Sequence, residues 1–99
     1  MGKSVKVIHT GITDPKEIIN ILKREGFKRI FDWYDPPQTF YDWHSHSDYE
    51  LRWIYKGKLE VGTDEGVFIL EEGDRLEIEA GVRHWARTET GVYYIGASK

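Results

Sequence analysis

The stretch "DWHSHSDYELRWIYKG" (residues 42–57) holds two histidines two positions apart, a glutamate four residues further on, and then a row of large apolar side chains. Residues i and i+2 of an extended chain share a face, so His44 and His46 point the same way, near enough to share one ion. If the extended register resumes at Glu50, its carboxylate lies on that face too. The same letters also read as polar dressing on an aromatic strand with no ion at all, and the spacing alone leaves both readings open.

A third histidine closes a second stretch, "GDRLEIEAGVRH" (residues 73–84), which reads as a strand followed by a glycine-containing turn. In a small barrel that turn can return the chain beside the first strand and bring His84 to the same place. The plainer alternative is a turn histidine. Three neutral imidazoles and one carboxylate would suit one divalent transition metal (Fe, Mn, Ni, Cu, Zn or Co), without choosing among them. An octahedral ion held by four such ligands on one side keeps adjacent positions open for water, substrate or dioxygen.

Around these stretches the hydrophobic period is two. Strands are expected over about 28–33, 39–46, 49–56, 58–62, 66–70, 75–79, 84–88 and 92–96, separated by the turn signals "DPPQ", "KGK", "TDEG", "EEGD", "EAGV" and "TETG". "RLEIE" (75–79) shows the register best, with Leu76 and Ile78 toward a core and Arg75, Glu77 and Glu79 toward water. Many short strands with no helices between them predict an antiparallel sandwich or small barrel. One helix precedes them. In "TDPKEIINILKREG" (13–26), Asp14 can cap, Pro15 suits the first turn, Glu17 completes a capping box and Gly26 stops the helix. Ile18, Ile19, Ile21 and Leu22 form its apolar stripe. A single domain results, with an N-terminal strand and the helix in about 1–26 and the remaining strands in about 27–99.

The composition bounds the function. Ninety-nine residues supply one small core. A net charge of -3 with no cluster of Lys and Arg gives no footprint for nucleic acid. No apolar run approaches the ~20 residues of a membrane span, and "MGKSVKVIHTG" has no apolar segment of signal-peptide length, so a cytoplasmic protein is expected. The absence of cysteine removes disulfides, thiolate ligands and cysteine nucleophiles together. A lone Met, Asn20 and Gln38 amid abundant Glu, Lys and Arg match the compositional pattern of heat-adapted proteins.

With both stretches in view, the chain resembles a known family. Residues 44–57 read H-x-H, three residues, E, six residues, G, and residues 73–84 read G, seven residues, G, two residues, H. These are similar to the two motifs of the cupin superfamily, and the likeness extends over about 38–96. The resemblance implies a mainly β fold, a small antiparallel β-barrel of the jelly-roll type, with His44, His46, Glu50 and His84 as metal ligands. Cupins of this kind are commonly dimers, so a homodimer is expected. Their activities include those of dioxygenases, isomerases and decarboxylases as well as non-catalytic sensors. The implied function is a metal-dependent enzyme acting on a small polar or anionic molecule; the alternative is a non-catalytic small-molecule binding or sensing module in which the metal is structural. Three departures stand out: Gln38 replaces a usual glycine, Glu79 a usual proline, and Thr88 a usual asparagine. The second is expected to loosen the turn at 79–81.

If Glu50 points inward, parity sends Arg52 and Ile54 inward and Leu51, Trp53 and Tyr55 outward. Three large apolar side chains in a row need a cover, either the helix or the same strand of a second subunit. Arg52 inside the barrel would anchor an acidic substrate; the alternatives are an ion pair with Glu60 or Glu77, or a bulge at 47–49 that reverses the register. Tyr94 and Thr88 are candidate hydroxyl donors to a bound substrate. Trp43, Trp85, Tyr41 and Tyr94 either wall a pocket mouth or fill the core. Asp42 and Asp48 are candidates to orient a ligating imidazole or are solvated loop carboxylates, and His9 reads as a surface or strand-end residue.

Overall fold

A computed structural model describes residues 5–99. Nine strands and one helix follow one another as β1 (Val5–His9), α1 (Pro15–Arg24), β2 (Lys28–Asp35), β3 (Thr39–His44), β4 (Glu50–Gly57), β5 (Leu59–Thr63), β6 (Gly66–Leu70), β7 (Asp74–Ile78), β8 (His84–Thr88) and β9 (Val92–Ser98). The strands form a five-stranded sheet in the order β1-β7-β4-β9-β2 and a four-stranded sheet in the order β3-β8-β5-β6, every pair antiparallel. Among the described residues no hydrogen-bonded strand pair joins the two sheets. The expected mainly β, antiparallel jelly roll with one N-terminal helix is present, built as two sheets that are not closed into one hydrogen-bonded barrel. Among the described residues no helix is long and apolar enough to cross a membrane.

Between the sheets lies one apolar cluster: Ile54, Leu59, Val61, Leu70, Leu76, Ile78, Val82, Val92 and Tyr94. A second cluster sits on the outer face of the five-stranded sheet. There α1 lays Ile18 and Leu22, both wholly buried, over Leu51, Trp53, Ile95 and Ala97. Burying each of those two helix side chains stabilises the docking by roughly 1.5–3 kcal/mol. The Asp14 side chain accepts from Glu17 N at 3.3 Å and so caps the helix, and Trp53 Nε1 donates to Ile12 O at 3.0 Å. The helix is therefore the cover that the outward stripe of β4 requires, and no second subunit is needed to hide Leu51 and Trp53.

One side of β7 departs from the simple alternation. Leu76 and Ile78 face the core as expected, but Arg75 and Glu77 are buried instead of facing water. The end of α1 and the chain before β4 close over them. Arg75 pairs with Glu25 at 2.5 Å and Glu77 at 2.8 Å, and its guanidinium lies 5.2 Å from the Trp53 ring and 5.6 Å from the Phe27 ring. The Tyr49 hydroxyl donates to the second Glu77 oxygen. A two-residue period shows which way a side chain points but not what packs above it.

The three departures from the usual motif have local answers. Gln38 adopts φ 66°, the left-handed region in which glycine is at home. The 79–81 turn is not loose: Gly81, at φ 82°, donates its N–H to His46 O at 2.8 Å and ties the turn to the histidine loop. Thr88 donates its hydroxyl to Lys58 O at 2.8 Å and accepts from Gly91 N at 2.9 Å, which fastens the end of β8 to two neighbouring turns.

Candidate metal centre

Two features of the backbone bring the histidines together. Between Tyr41↔Ala86 and His44↔His84 the pairing of β3 and β8 advances three residues on β3 but two on β8. This bulge places His44 directly opposite His84. Beyond His44 the strand ends, and His46 sits in the loop that Gly81 anchors. One ring nitrogen from each of His44, His46 and His84 lies within 4.8 Å of the others. Their ring centroids are 4.3 Å (His44–His84), 4.9 Å (His44–His46) and 5.2 Å (His46–His84) apart.

The tautomers of two of these rings follow from their partners. His44 Nδ1 is 2.6 Å from Asp42 O, and His84 Nδ1 is 2.9 Å from Val82 O. A carbonyl can only accept, so each Nδ1 carries the proton and each neutral ring keeps its lone pair on Nε2. Burial holds the His84 imidazole below its ordinary pKa, against the opposing bond to Val82. His46 is held down in the same way by burial, against the opposing charge of Glu50. Both rings are consequently neutral at neutral pH, the form that binds a metal. The donor set and its spacing fit a first-row divalent ion.

The histidines line a cavity of 630 Å³ whose wall also includes Glu50, Arg52, Tyr94, Asp35 and the rings of Phe31, Trp33, Phe40 and Tyr41. Of the four expected ligands the structure gathers three. Glu50 stands in the same cavity but outside the cluster, with its Oε1 3.0 Å from Arg52 Nη2. Arg52 does face the cavity. Its parity from Glu50 is unbroken, because the bulge of β4 against β9 falls between Ile54 and Lys56 rather than at 47–49. Its partners are Glu50 and Leu51 O, not Glu60 or Glu77, and its guanidinium lies 5.5 Å from the Phe31 ring and 5.7 Å from the Tyr94 ring.

Tyr94 lines the cavity, and burial raises its hydroxyl's pKa well above the ordinary value, so it stays a donor. Thr88 does not line the cavity, and its hydroxyl is spent on the two backbone bonds described above, so it is withdrawn as a substrate contact. Trp43 and Trp85 lie outside the cavity wall. Trp43 is exposed under Arg83, and Trp85 packs against Gly62. It is the backbone of Asp42, not its carboxylate, that orients the His44 ring. Asp48 pairs with Arg29 at 2.9 Å, and His9 is an exposed strand-end residue bonded to Asp74. The wall contributed by Phe31, Trp33 and Asp35 was missed, although the three stand at i, i+2 and i+4 of one strand and share a face.

Residues 32–93 match the family model described as "Cupin domain". Among solved structures, a DUF861 family protein from Thermotoga maritima superposes with TM-score 0.68 at 21% identity, covering 97% of this chain and all of that one. A conserved protein of unknown function from Streptococcus pyogenes gives 0.65 at 17%, over 70% of this chain, and this chain spans 60% of its length. The DMSP lyase DddQ from Ruegeria pomeroyi gives 0.65 at 22%, over 71% of this chain and 36% of that protein. At these identities the likeness is one of fold. No curated protein matches the chain.

Proposed function

Since the chain belongs to the cupin domain family, we propose that it is a metal-dependent enzyme acting on a small polar molecule held in the cavity beside His44, His46 and His84. The observation that carries this reading is the pair of Nδ1–carbonyl bonds, which leave the Nε2 lone pairs of His44 and His84 free in a cluster whose three histidines each offer a nitrogen within 4.8 Å of the others. In this reading the three imidazoles hold the ion, and Glu50 is the fourth donor once it exchanges Arg52 for the metal. A bound divalent ion supplies Lewis acidity and a more acidic bound water.

The chain's own groups do the rest. Phe31, Trp33, Phe40 and Tyr41 give the cavity aromatic walls against which a ligand can pack. Tyr94 offers a hydroxyl that remains protonated at neutral pH. Arg52 is less suited to anchoring an anionic substrate than the sequence implied, because Glu50 already meets its charge. A homodimer stays part of the proposal, supported by the exposed Val67 and Ile69 on the edge strand β6.

Titration of chelator-treated protein with zinc, manganese and iron(II), followed by calorimetry and metal analysis, tests the site. One ion per chain is expected, with His46→Ala and His84→Ala abolishing stoichiometric binding; undiminished metal content in both variants would refute the assignment. Zinc held so tightly that no water site exchanges would turn the reading to the non-catalytic module. A light-scattering mass of one chain would remove the dimer.

A further inference from the structure

Asp35 ends β2 on the wall of the cavity, and it is 3% exposed. Two donors reach it, Trp33 Nε1 at 2.9 Å and Tyr41 O–H at 2.5 Å, and both converge on the same oxygen, Oδ1. The other oxygen, Oδ2, is buried with no hydrogen-bond partner, and among the described residues it is the one buried side-chain polar atom in that condition. An unpartnered buried acceptor costs roughly 1–3 kcal/mol, more when charged, so folded chains seldom leave one without a use.

Neither donor on Oδ1 is a cation, and among the described residues no ion pair is made by Asp35. The guanidinium nearest in the cavity, Arg52, is held by Glu50 and Leu51 O. Three carboxylates (Asp35, Asp42 and Glu50) line the cavity against this single arginine. The two donors on Oδ1 belong to Trp33 and Tyr41, which line the same cavity as Phe40, and aromatic faces attract a positive charge. A carboxylate fixed by two neutral donors, bare on one oxygen and in a cavity lined by aromatic residues, has the chemistry of an ammonium receptor.

We propose that Asp35 forms an ammonium-binding subsite at the aromatic end of the cavity, so that the small molecule taken there carries a protonated amine. The amine donates to Oδ2 while its alkyl chain lies against the rings. Trp33 and Tyr41 are positioning residues that fix the carboxylate. This subsite is distinct from the imidazole cluster and is tested separately from it.

The test uses the full chain as purified, titrated with butylammonium chloride or with butanol. The readout is the indole N–H resonance of Trp33, assigned with Trp33→Phe, because that N–H is bonded to the same carboxylate. Butylammonium is expected to shift it saturably. Asp35→Asn is expected to weaken the binding about tenfold or more, the least that a charge-assisted bond contributes. Asp64→Asn, exposed in the turn between β5 and β6 and outside the cavity wall, is expected to leave it unchanged. His84→Ala is expected to keep the butylammonium response even where zinc binding is lost, which separates this subsite from the metal reading. Equal binding by butanol, undiminished affinity in Asp35→Asn, or loss of the response in His84→Ala would each overturn the subsite. If Asp35→Asn does not fold, the butylammonium–butanol comparison on the unaltered protein still decides.

Discussion

Arg75 offers the sharpest test of how α1 is held over the sheet. Its side chain is 9% exposed, bonded through Nη2 to Glu25 and through Nε to Glu77, whose own side chain is 6% exposed. Replacing Arg75 with Met keeps much of the packing against Trp53 and Phe27 but strips the cation from a buried carboxylate. Removing one partner of a buried pair costs about 3–5 kcal/mol, because the remaining charge is left uncompensated. Tyr49 still donates to Glu77, which sets the expectation at the lower end, about 3 kcal/mol. In a domain of this size that is a drop in Tm of roughly 12–24 °C.

The assay is chemical denaturation followed by tryptophan fluorescence and circular dichroism. The second arm is Arg75→Met combined with Glu77→Gln, which removes the stranded charge while an amide oxygen still accepts from Tyr49. The double variant should regain at least half of the loss. A single variant within about 1 kcal/mol of the parent would refute the burial argument. So would a double variant no more stable than the single one, since the cost would then lie in packing alone.

Three further outcomes follow from single positions. Gln38→Gly relieves a left-handed backbone at a cost in chain entropy, and should raise stability by about 0.5–1 kcal/mol in a urea titration; a loss would mean the Gln38 side chain stabilises its turn. Gly62→Ala would put a Cβ 2.0 Å from Trp85 Cε2, and should destabilise by about 1–3 kcal/mol with a changed tryptophan emission. The Arg75 bond holds the Glu25 carboxyl below its ordinary value, so its contribution is present above the unfolded pKa and is lost as pH falls through the folded one. Glu25 is partly exposed, so Glu25→Gln should flatten the decline in stability below about pH 4.5 by less than about 1 kcal/mol; an unchanged pH profile would exclude Glu25 from it.

Much of this arrangement was written in local pattern. The H-x-H spacing put two imidazoles near one point, the helix carried its own start and stop signals, and parity placed Arg52 inward. Features made by contacts distant in sequence were not legible. The bulge that sets His44 against His84 falls at Asp42–Trp43, with no glycine to mark it. Arg75 and Glu77 alternate as surface residues do, and they are covered by the end of α1, arriving from 50 residues away, and by Tyr49 before β4. Thr88 carries a hydroxyl suited to a ligand, but the turns at Lys58 and Gly91 claim it. Asp35 is the opposite case: its place on the Phe31–Trp33 face could be read from the alternation of β2, but what makes it notable, an oxygen without a partner, is visible only once the donors around it are placed.

The pairing of Glu50 with Arg52 bears directly on how tightly the imidazoles hold an ion. The guanidinium's charge disfavours protons on both His46 and His84, and by the same sign it disfavours a divalent cation among them. It also occupies the carboxylate that would complete the ligand set. Arg52→Met removes both obstacles while preserving the apolar contact with Phe31 and Tyr94. Zinc affinity should then rise by about tenfold or more, or about 1.4 kcal/mol, and the part of the gain that comes from freeing the carboxylate should disappear when Glu50→Gln is added. The comparison is a calorimetric titration of the parent, the single variants and the double variant at one pH and ionic strength. If Arg52→Met instead weakens zinc binding, the arginine positions Glu50 for the ion rather than competing for it, and the order of events proposed for the fourth ligand is wrong.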